Sequence, residues 1–282
     1  MKRNKSFDKS TPLLYLVATP IGNLGEMSKR ALDTLNEMDL IAAEDTRNTF
    51  MLLSQYGIKK ELFSLREHNE TAASKHIIGL IKQGKKVAYV SDAGYPGISD
   101  PGYLLVKKAI QNDIAVSTIS GSSAFINALV ASGLPTDHFY FYGFLSKKGN
   151  EARQALEALK DREETLIFYE SPHHIKETIL LMSDIFQDRE AVIARELTKL
   201  NEEYIRGSLL ELKNLDFSTL KGEMVILIHG LEKSTDDISD EVIIKRLQFC
   251  ISKGATKKAA IEIVCDELKL HKNRVYKLAQ NL

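Results

Sequence analysis

The first 145 residues alternate short apolar runs with amphipathic stretches, and this alternation constrains the fold more than any other feature. Apolar runs of four to six residues are typical of buried strands, whereas apolar residues spaced three and four apart are typical of helices. The expected strands are Leu13–Ala18, Leu40–Ala43, Leu62–Leu65, Val87–Val90 and Ala115–Ile119, and the expected helices are Ser28–Met38, Thr71–Gln83, Tyr103–Gln111 and Ser122–Ser132. Strands that alternate with helices favour a mostly parallel sheet covered by helices.

A second unit begins near Thr136 and has a less regular pattern. Its expected strands are Phe139–Phe144, Thr165–Tyr169, Ala191–Ala194, Glu202–Glu211 and Met224–His229, and its expected helices are Glu151–Leu159 and Ile175–Phe186. The last two strands are separated only by a turn, which predicts a mixed sheet. Three short helical patterns after the polar stretch 232–239 resemble a helix-turn-helix module. The predicted organisation is a basic tail at 1–12, α/β domains at 13–135 and 136–231, and a helical module at 236–282.

Composition excludes several classes of function. The 282 residues include 38 basic and 38 acidic side chains, so the chain is not a polycation that coats nucleic acid. Two cysteines are too few for a disulfide framework and fit a reducing compartment. The chain has no apolar run of membrane-spanning length and its start has no signal-peptide core, so we expect a cytoplasmic protein without a membrane span.

The charge is distributed unevenly. Residues 1–12 carry four basic side chains against one acidic, and residues 231–282 carry ten against eight. Two basic appendages on a mildly acidic body would suit a polyanionic partner, although two solvated ends would give the same pattern.

Polar, glycine-rich segments follow four of the expected strands, at 19–25, 44–47, 92–102 and 120–124. One such segment is an ordinary turn, but ligands of open parallel sheets lie beyond the carboxyl ends of the strands, where four segments would share one edge. Backbone N–H groups near Ser122 could hold an anion or simply open a helix. Asp92 could accept hydrogen bonds from a hydroxyl or ammonium group. Together the two loops would suit the opposite ends of a small zwitterion.

Common cofactor fingerprints are missing from the sequence. No G-x-G-x-x-G follows the first strand, and G-x-x-x-x-G-K-[ST] does not occur. The seven histidines show neither H-x-x-x-H nor H-E-x-x-H spacing. A dinucleotide dehydrogenase, a P-loop phosphotransferase and a metal site are therefore not expected.

Six motifs at these loops and strand ends occur in the order and spacing of one known family. They are LYLVATPIGN at 14–23, AAEDTR at 42–47, VSDAGYPGISDPG at 90–102, ISGSSA at 119–124, FYESPH at 168–173 and ARELTK at 194–199. Together they resemble the tetrapyrrole-methylase superfamily, the class III S-adenosylmethionine-dependent methyltransferases. Within this superfamily, the sequence is similar to the bacterial 16S ribosomal RNA cytidine 2′-O-ribose methyltransferases. Residues 253–276 resemble the C-terminal module of these enzymes.

The resemblance implies two α/β domains with the methyl donor, S-adenosylmethionine, in the cleft between them. It also implies a homodimer, and as substrate a cytidine in the decoding region of the assembled small ribosomal subunit. The family motifs place cofactor contacts at Ile21, Asp92, Tyr95, Ser122, Ser123, Ala124, Tyr169, Glu223 and Met224. Family members that act on tetrapyrroles often have Gly-Asp-Pro where this chain has Ser91-Asp92-Ala93, which favours the ribosomal branch.

A ribose hydroxyl is a poor acid, so a carboxylate base near the cleft should assist methyl transfer. The candidates are Glu44, Asp45 and Glu170, with Asp100 ranked below them. Glu44 and Asp45 come first because they follow a strand and adjoin Arg47. Consecutive residues leaving a strand point in different directions, so one should face the cleft while the other holds Arg47 or the loop. A structural ion pair that caps a helix would give the same sequence.

The predicted contacts to RNA are Arg47, His68, Asn69, Arg195 and Lys199. Arg47 could equally belong to the ion pair that caps a helix, and a polar loop such as 68–70 is more often simply solvated. Arg195 and Lys199 are as consistent with a surface charge cluster.

Two other functions remain open at this stage. One is a methyltransferase of the same fold that acts on a corrinoid precursor or a diphthamide precursor. The basic C-terminal module argues against it, because a small substrate needs no accessory helices. The other is a non-catalytic RNA-binding factor in ribosome assembly. The intact Asp92 loop and the segment 120–124 argue against that function.

Overall fold

The computed structural model describes residues 13–232, 238–268, 270, 272–280 and 282. The chain divides into two compact units, residues 1–230 and 231–282. The first unit contains two five-stranded sheets with their helices, and the second is helical. The predicted α/β class with a C-terminal helical module is therefore confirmed. The predicted basic tail at 1–12 lies outside the described residues.

The first sheet is entirely parallel, as the alternation of strands and helices predicts. Its strands are β1 (Leu13–Val17), β2 (Leu40–Ala43), β3 (Glu61–Ser64), β4 (Val87–Val90) and β5 (Ala115–Ile119), in the order β3-β2-β4-β1-β5. Strands β2 and β4 are buried along their whole length, which is why they consist of unbroken apolar runs. Because β2, β4, β1 and β5 are neighbours, the loops at their carboxyl ends share one edge of the sheet.

Five helices follow these strands, in chain order. They are α1 (Lys29–Glu37), α2 (Thr46–Gln55), α3 (Glu70–Lys82), α4 (Tyr103–Gln111) and α5 (Ala124–Ser132). Helices α1 and α2 pack on one face of the sheet, whereas α3 and α4 pack on the other. Helix α2 is not among the predicted elements. Its side chains Phe50 and Met51 are 64% and 59% exposed, so the apolar pattern of a buried helix face is absent.

The second sheet is mixed, which confirms the prediction. Its strands are β6 (Phe139–Phe144), β7 (Thr165–Glu170), β8 (Glu190–Arg195), β9 (Glu203–Ser208) and β10 (Met224–Ile228), in the order β6-β7-β10-β8-β9. Only β6 and β7 pair in parallel. The predicted strand Glu202–Glu211 is wrong at its end, because Ser208 begins helix α8 (Leu209–Leu212). A capping box between Ser208 and Glu211 stops the strand there.

Two further helices, α6 (Gly149–Ala158) and α7 (Ile175–Phe186), cover one face of the second sheet. The other face is covered by α5, whose Ala128 and Leu129 pack among Ile167 of β7 and Val225 of β10. The helix that follows the last strand of the first sheet thus belongs to the core of the second. This packing places the start of α5 between the two sheets.

The C-terminal unit is a three-helix module formed by α9 (Asp240–Ser252), α10 (Lys257–Leu268) and α11 (Lys272–Gln280). Its small core includes Ile243 and Leu247 of α9, Val264 of α10 and Val275 of α11. Two arginine–carboxylate pairs, Arg246 with Glu267 and Arg274 with Asp240, join its helices. Within the described ranges, no helix is long and apolar enough to cross a bilayer.

Candidate active site

A cavity of about 430 Å³ lies between the two sheets of the first unit. The first sheet lines it with the loops that follow β1, β2, β4 and β5, and the second sheet lines it with residues at the ends of β6, β7, β8 and β10. Apolar side chains from both sides form part of the wall: Ile21, Ile98, Phe144, Leu197 and Val225. The four strand-end segments singled out from the sequence thus meet at one site.

The charged side chains of this cavity are all acidic. Its lining contains Glu44, Asp92, Asp100, Glu170 and Glu223, and among the described residues that form the wall there is no lysine, arginine or histidine. Lys199, which lies 3.7 Å from Glu223, and Arg66, which lies near Glu44, offset part of this charge, but neither lines the wall. The excess of carboxylates creates a negative potential inside the cleft, which favours a positively charged ligand.

Two of these carboxyl groups resist ionisation. Burial and the adjacent Asp92 raise the pKa of Glu44 above its usual value, against a hydrogen bond from the backbone of Asp92. Burial and the charge of Glu44 raise the pKa of Asp100 to about 7, although a hydrogen bond from Ser91 opposes the shift. Near neutral pH, Asp100 is therefore poised between its protonated and ionised forms.

Asp92 joins its own loop to the segment that follows β2. Its Oδ1 accepts a hydrogen bond from the backbone N–H of Asp45 at 3.1 Å, and its Oδ2 accepts one from Asn48 at 2.8 Å. Its own backbone N–H donates to Glu44 at 3.4 Å. Because each carboxylate oxygen has two acceptor positions, Asp92 retains capacity for a ligand while it holds the loop after β2.

Glu44 and Asp45 point in different directions, as the geometry of a strand end predicts. Glu44 lines the cavity, whereas Asp45 does not. Asp45 is the N-cap of α2, and its carboxylate accepts hydrogen bonds from the backbone N–H and the guanidinium of Arg47 and from the guanidinium of Arg66. The Arg47 guanidinium holds the pKa of Asp45 well below its usual range. Asp45 therefore forms a structural ion pair at the start of a helix.

Glu170 lies at the end of β7 and is 9% exposed. Its Oε1 accepts a hydrogen bond from the backbone N–H of Ser171 at 2.7 Å, and its Oε2 accepts one from the hydroxyl of Thr178 at 2.6 Å. The carboxylate borders the cavity but is fixed by its own strand end and by α7.

Eight of the nine predicted cofactor residues line the cavity. They are Ile21, Asp92, Tyr95, Ser123, Ala124, Tyr169, Glu223 and Met224. Ser123 is the N-cap of α5 and makes no capping hydrogen bond with its side chain. The ninth residue, Ser122, does not line the cavity, because its hydroxyl donates to Glu26. The Tyr95 hydroxyl accepts a hydrogen bond from the backbone N–H of Gly121 at 3.2 Å, so it also fixes the loop before α5.

A polar side pocket of about 360 Å³ adjoins the cavity and shares Glu44, Asp92 and Ser99 with it. Its wall includes Arg66 and His68, one of the predicted RNA contacts. Arg47, another predicted contact, has a side chain that is 80% exposed. This pocket therefore gives access to the acidic cavity and is lined by Arg66 and His68 as well as by the carboxylates of Asp45 and Glu67.

The other predicted RNA contacts have structural partners. Asn69 accepts a hydrogen bond from the backbone of Arg66 and donates one to Ser64, so its side chain fixes its own loop. Arg195 donates to Glu203 at 2.6 Å. Lys199 lies 2.9 Å from Glu196 and 3.7 Å from Glu223.

Lys199 also packs against the loop that follows β1. A Cβ atom added to Gly22 would lie 2.5 Å from Cγ of Lys199, so this close approach requires glycine. Lys199 thus supports the loop that carries Ile21 into the cavity.

Sequence reasoning missed much of the apolar wall, notably Phe144, Leu197 and Val225. Their common signal is their position, because each lies in or beside the end of a strand of the second sheet. It also missed Ser99, which lines both pockets and has φ of +61°, a left-handed conformation that side chains rarely adopt. Such strain is common where a loop is shaped for a ligand. Within the part of the chain that the structure describes, no cluster of three metal-ligating side chains occurs.

A parallel sheet and a mixed sheet enclose the cavity, and comparison with known families identifies the class of protein that has this architecture. Residues 13–213 match the family model of the Tetrapyrrole (Corrin/Porphyrin) Methylases. The chain belongs to this family.

Related proteins are similar to this chain over nearly its whole length, beyond the segment that the family model matches. The chain is 42% identical to the "Ribosomal RNA small subunit methyltransferase I" of Bacillus subtilis (strain 168), over 98% of this chain and 97% of the relative. It is 43% identical to the protein of the same name from Streptococcus pyogenes serotype M18 (strain MGAS8232), over 100% of both chains. The resemblance to the ribosomal RNA branch is thereby confirmed. Among solved structures, a diphthine synthase superposes with a TM-score of 0.60 at 15% identity, covering 77% of this chain and 89% of that one, and shares the fold.

Proposed function

We propose that this protein transfers a methyl group from S-adenosylmethionine to the ribose 2′-hydroxyl of a cytidine in 16S ribosomal RNA. The substrate is the decoding region of the assembled small ribosomal subunit, and the enzyme acts in the cytoplasm as a homodimer. The names of the relatives and the motif resemblance support the RNA substrate. The acidic cavity supports the methyl donor and carries the proposal.

The residues around the cavity fit S-adenosylmethionine. The donor contains a sulfonium and an ammonium group, and both cations suit a wall with five carboxylates and no cationic side chain. Asp92 and Glu223 offer acceptors, the hydroxyl of Ser123 offers a donor, and Ile21 with Met224 offers an apolar surface for the adenine. Tyr95, Ala124 and Tyr169 complete the proposed binding set, whereas Ser122, whose hydroxyl donates to Glu26, would support the loop before α5. A phosphate-rich cofactor would meet five carboxylates on this wall.

When bound, S-adenosylmethionine supplies an electrophilic methyl group on sulfur. The protein residues position the ribose and accept its proton, and positioning alone contributes up to about 7–11 kcal/mol. Glu44 is the favoured base because it lines the cavity, whereas Asp45 is held by Arg47. Its raised pKa makes it a stronger base than an ordinary carboxylate. Glu170 is the next candidate.

The RNA would approach through the side pocket next to Glu44. Arg47 and His68 would contact the phosphates or riboses that flank the target nucleotide, with Asn69 as part of the wall. Arg195 and Lys199 would contribute at the second-domain edge. Arg195 now pairs with Glu203, and Lys199 pairs with Glu196 and Glu223, so an RNA phosphate would have to displace these carboxylates.

Exposed apolar side chains on α5 support the homodimer. Ile126 and Val130 are one turn apart on the same helix face and are 39% and 70% exposed. Apolar groups left in water on one helix face are typical of protein interfaces.

Parallel assays would test the proposal with one methyl donor and several acceptors. The purified protein is incubated with labelled S-adenosylmethionine and either small subunits that lack the modification, naked 16S RNA, a precorrin or a diphthamide precursor. We expect label on the small subunits. Label on either of the last two acceptors would assign the protein to a different branch of the fold. Cofactor binding without label on any acceptor would favour a non-catalytic assembly factor.

A further inference from the structure

The C-terminal unit contains a groove that the proposed reaction does not use. It lies between α10 and α11 and has a volume of about 530 Å³. Its lining consists of Lys257, Lys258, Ile261, Lys272, Tyr276, Ala279 and Gln280. Three cationic side chains and no acidic one line this groove, which reverses the charge of the cavity in the first unit.

The lysines of the groove are largely free of ion pairs. Among the described residues, no recorded ion pair includes Lys257 or Lys258, and Lys272 lies 3.7 Å from Glu262 in an exposed pair. Exposed pairs of this kind contribute little, so Lys272 remains available. The arginines of the unit differ, because Arg246 and Arg274 are held by carboxylates on other helices.

Tyr276 gives the groove a second kind of contact. Its side chain lines the groove and is 53% exposed. An exposed aromatic ring beside cations is the arrangement by which proteins hold single-stranded nucleic acid, because bases stack on the ring while lysines contact the phosphates. A small anion would use the lysines but leave the ring without a function.

We propose that the groove between α10 and α11 binds a single-stranded segment of RNA, with phosphates at Lys257, Lys258 and Lys272 and a base stacked on Tyr276. This inference rests on the proposed function, since it supplies the RNA substrate with a second attachment point. The exposed ring favours a single strand over a duplex, because the bases of a duplex are already stacked on one another.

The test measures binding of a short fluorescein-labelled single-stranded RNA to the full chain by anisotropy, over a series of salt concentrations. Each lysine that contacts a phosphate of a single strand contributes about 0.7 to the slope of log affinity against log salt. In a variant with Lys257→Gln, Lys258→Gln and Lys272→Gln, the magnitude of this salt slope should therefore decrease by about 2. Lys245→Gln, Lys253→Gln and Lys277→Gln make the same charge change on exposed lysines outside the groove and should leave the slope nearly unchanged.

Tyr276 separates stacking from charge. Tyr276→Ala should weaken the single strand by roughly five- to 100-fold, whereas Tyr276→Phe keeps the ring and should bind as the parent does. An equal decrease of the salt slope in the two triple variants would overturn the inference, and so would an unchanged affinity of Tyr276→Ala for the single strand. The same measurement with a blunt RNA duplex of the same sequence serves as a comparison, and tighter binding of the duplex than of the single strand would overturn the inference too. Thermal unfolding and S-adenosylmethionine binding of each variant confirm an intact fold.

Methylation does not enter these measurements, so the two proposals fail separately. If the protein methylates ribosomal RNA but its RNA binding does not depend on the groove, the proposed function stands and the RNA site in the groove is contradicted. If the protein binds the oligonucleotide through the groove but methylates no RNA, the proposed function is contradicted.

Discussion

Arg47 holds Asp45 through two hydrogen bonds, from Nε to Oδ1 at 3.0 Å and from Nη2 to Oδ2 at 2.6 Å. The same carboxylate caps α2 by accepting the backbone N–H of Arg47. A carboxylate held in this way is a poor proton acceptor, because its pKa lies far below that of a ribose hydroxyl or of an ordinary carboxyl group. The preceding residue, Glu44, has the opposite environment, since it borders the cavity and its pKa is raised.

This difference predicts the outcome of paired amide substitutions. Glu44→Gln should lower the single-turnover rate of methyl transfer by about 10²–10⁴-fold, the usual contribution of a general base. Asp45→Asn should keep a rate near that of the parent and instead lower the thermal midpoint or the RNA affinity. Both rates are measured at saturating S-adenosylmethionine, so that any change in cofactor affinity does not enter. Parental rates for both variants would show that neither group is the base, and Glu170 would be tested next.

Removal of the Asp92 carboxylate should weaken cofactor binding. Asp92→Ala loses a charged hydrogen bond, and calorimetry should show an affinity lower by about 1.5–3 kcal/mol. The same substitution also breaks the link to Asp45 and Asn48, so a second variant is needed. Asp92→Asn removes the charge but keeps an oxygen that accepts from the Asp45 backbone, so it preserves that link between the loops and should weaken binding too. An unchanged dissociation constant in a folded Asp92→Ala protein would remove this residue from the site.

Cofactor affinity should rise with pH. Asp100, which faces Glu44 and Asp92, has a pKa of about 7 in the free protein, so at pH 6 it is mostly neutral. A cationic ligand favours the ionised carboxylate, so binding releases a proton at low pH, and affinity should increase about tenfold between pH 6 and pH 8 and then level off.

Two controls isolate Asp100 as the cause of this pH dependence. S-adenosylhomocysteine lacks the sulfonium charge and should show a weaker dependence, and Asp100→Asn should flatten the profile. An affinity for S-adenosylmethionine that falls as the pH rises would contradict the account.

Loss of the C-terminal module should separate cofactor binding from substrate use. Deletion of residues 235–282 leaves the cavity residues in place, because all of them belong to the first unit. We expect nearly unchanged S-adenosylmethionine affinity and weaker methylation of small subunits, because the basic groove between α10 and α11 is lost. Size-exclusion chromatography establishes that the shortened protein is not aggregated. Full activity on small subunits would show that the module is dispensable.

The first sheet could be predicted almost entirely from the sequence, because its strands are buried apolar runs and its loops carry turn residues. Val87–Val90 and Ala115–Ile119 agree with the structure residue for residue. Helix α2 could not be predicted in this way, because Phe50 and Met51 face solvent and leave no apolar stripe on one side. In the sequence, the start of α2 is marked only by the polar cluster at 44–47, which ends in Arg47.

The candidate site was partly predictable for the same reason. Parallel strands bring their carboxyl ends to one edge, so Asp92 and Ser123 could be assigned to a common cleft before their distance was known. The choice between Glu44 and Asp45 required coordinates, because the partners of Asp45 include Arg66, a residue that is 21 positions away. The acidity of the whole cavity also depends on which side chains converge from the two sheets, and no local sequence pattern specifies this convergence.

The most direct test of the central claim is nucleoside analysis of 16S RNA after reaction. Small subunits from cells that lack this enzyme are incubated with the protein and S-adenosylmethionine, and the RNA is digested and examined by mass spectrometry. The account predicts one new nucleoside, 2′-O-methylcytidine, located in the decoding region, and little of it with Glu44→Gln protein. A methyl group on a base, or no new methylated nucleoside in the RNA while the protein binds S-adenosylmethionine, would contradict it.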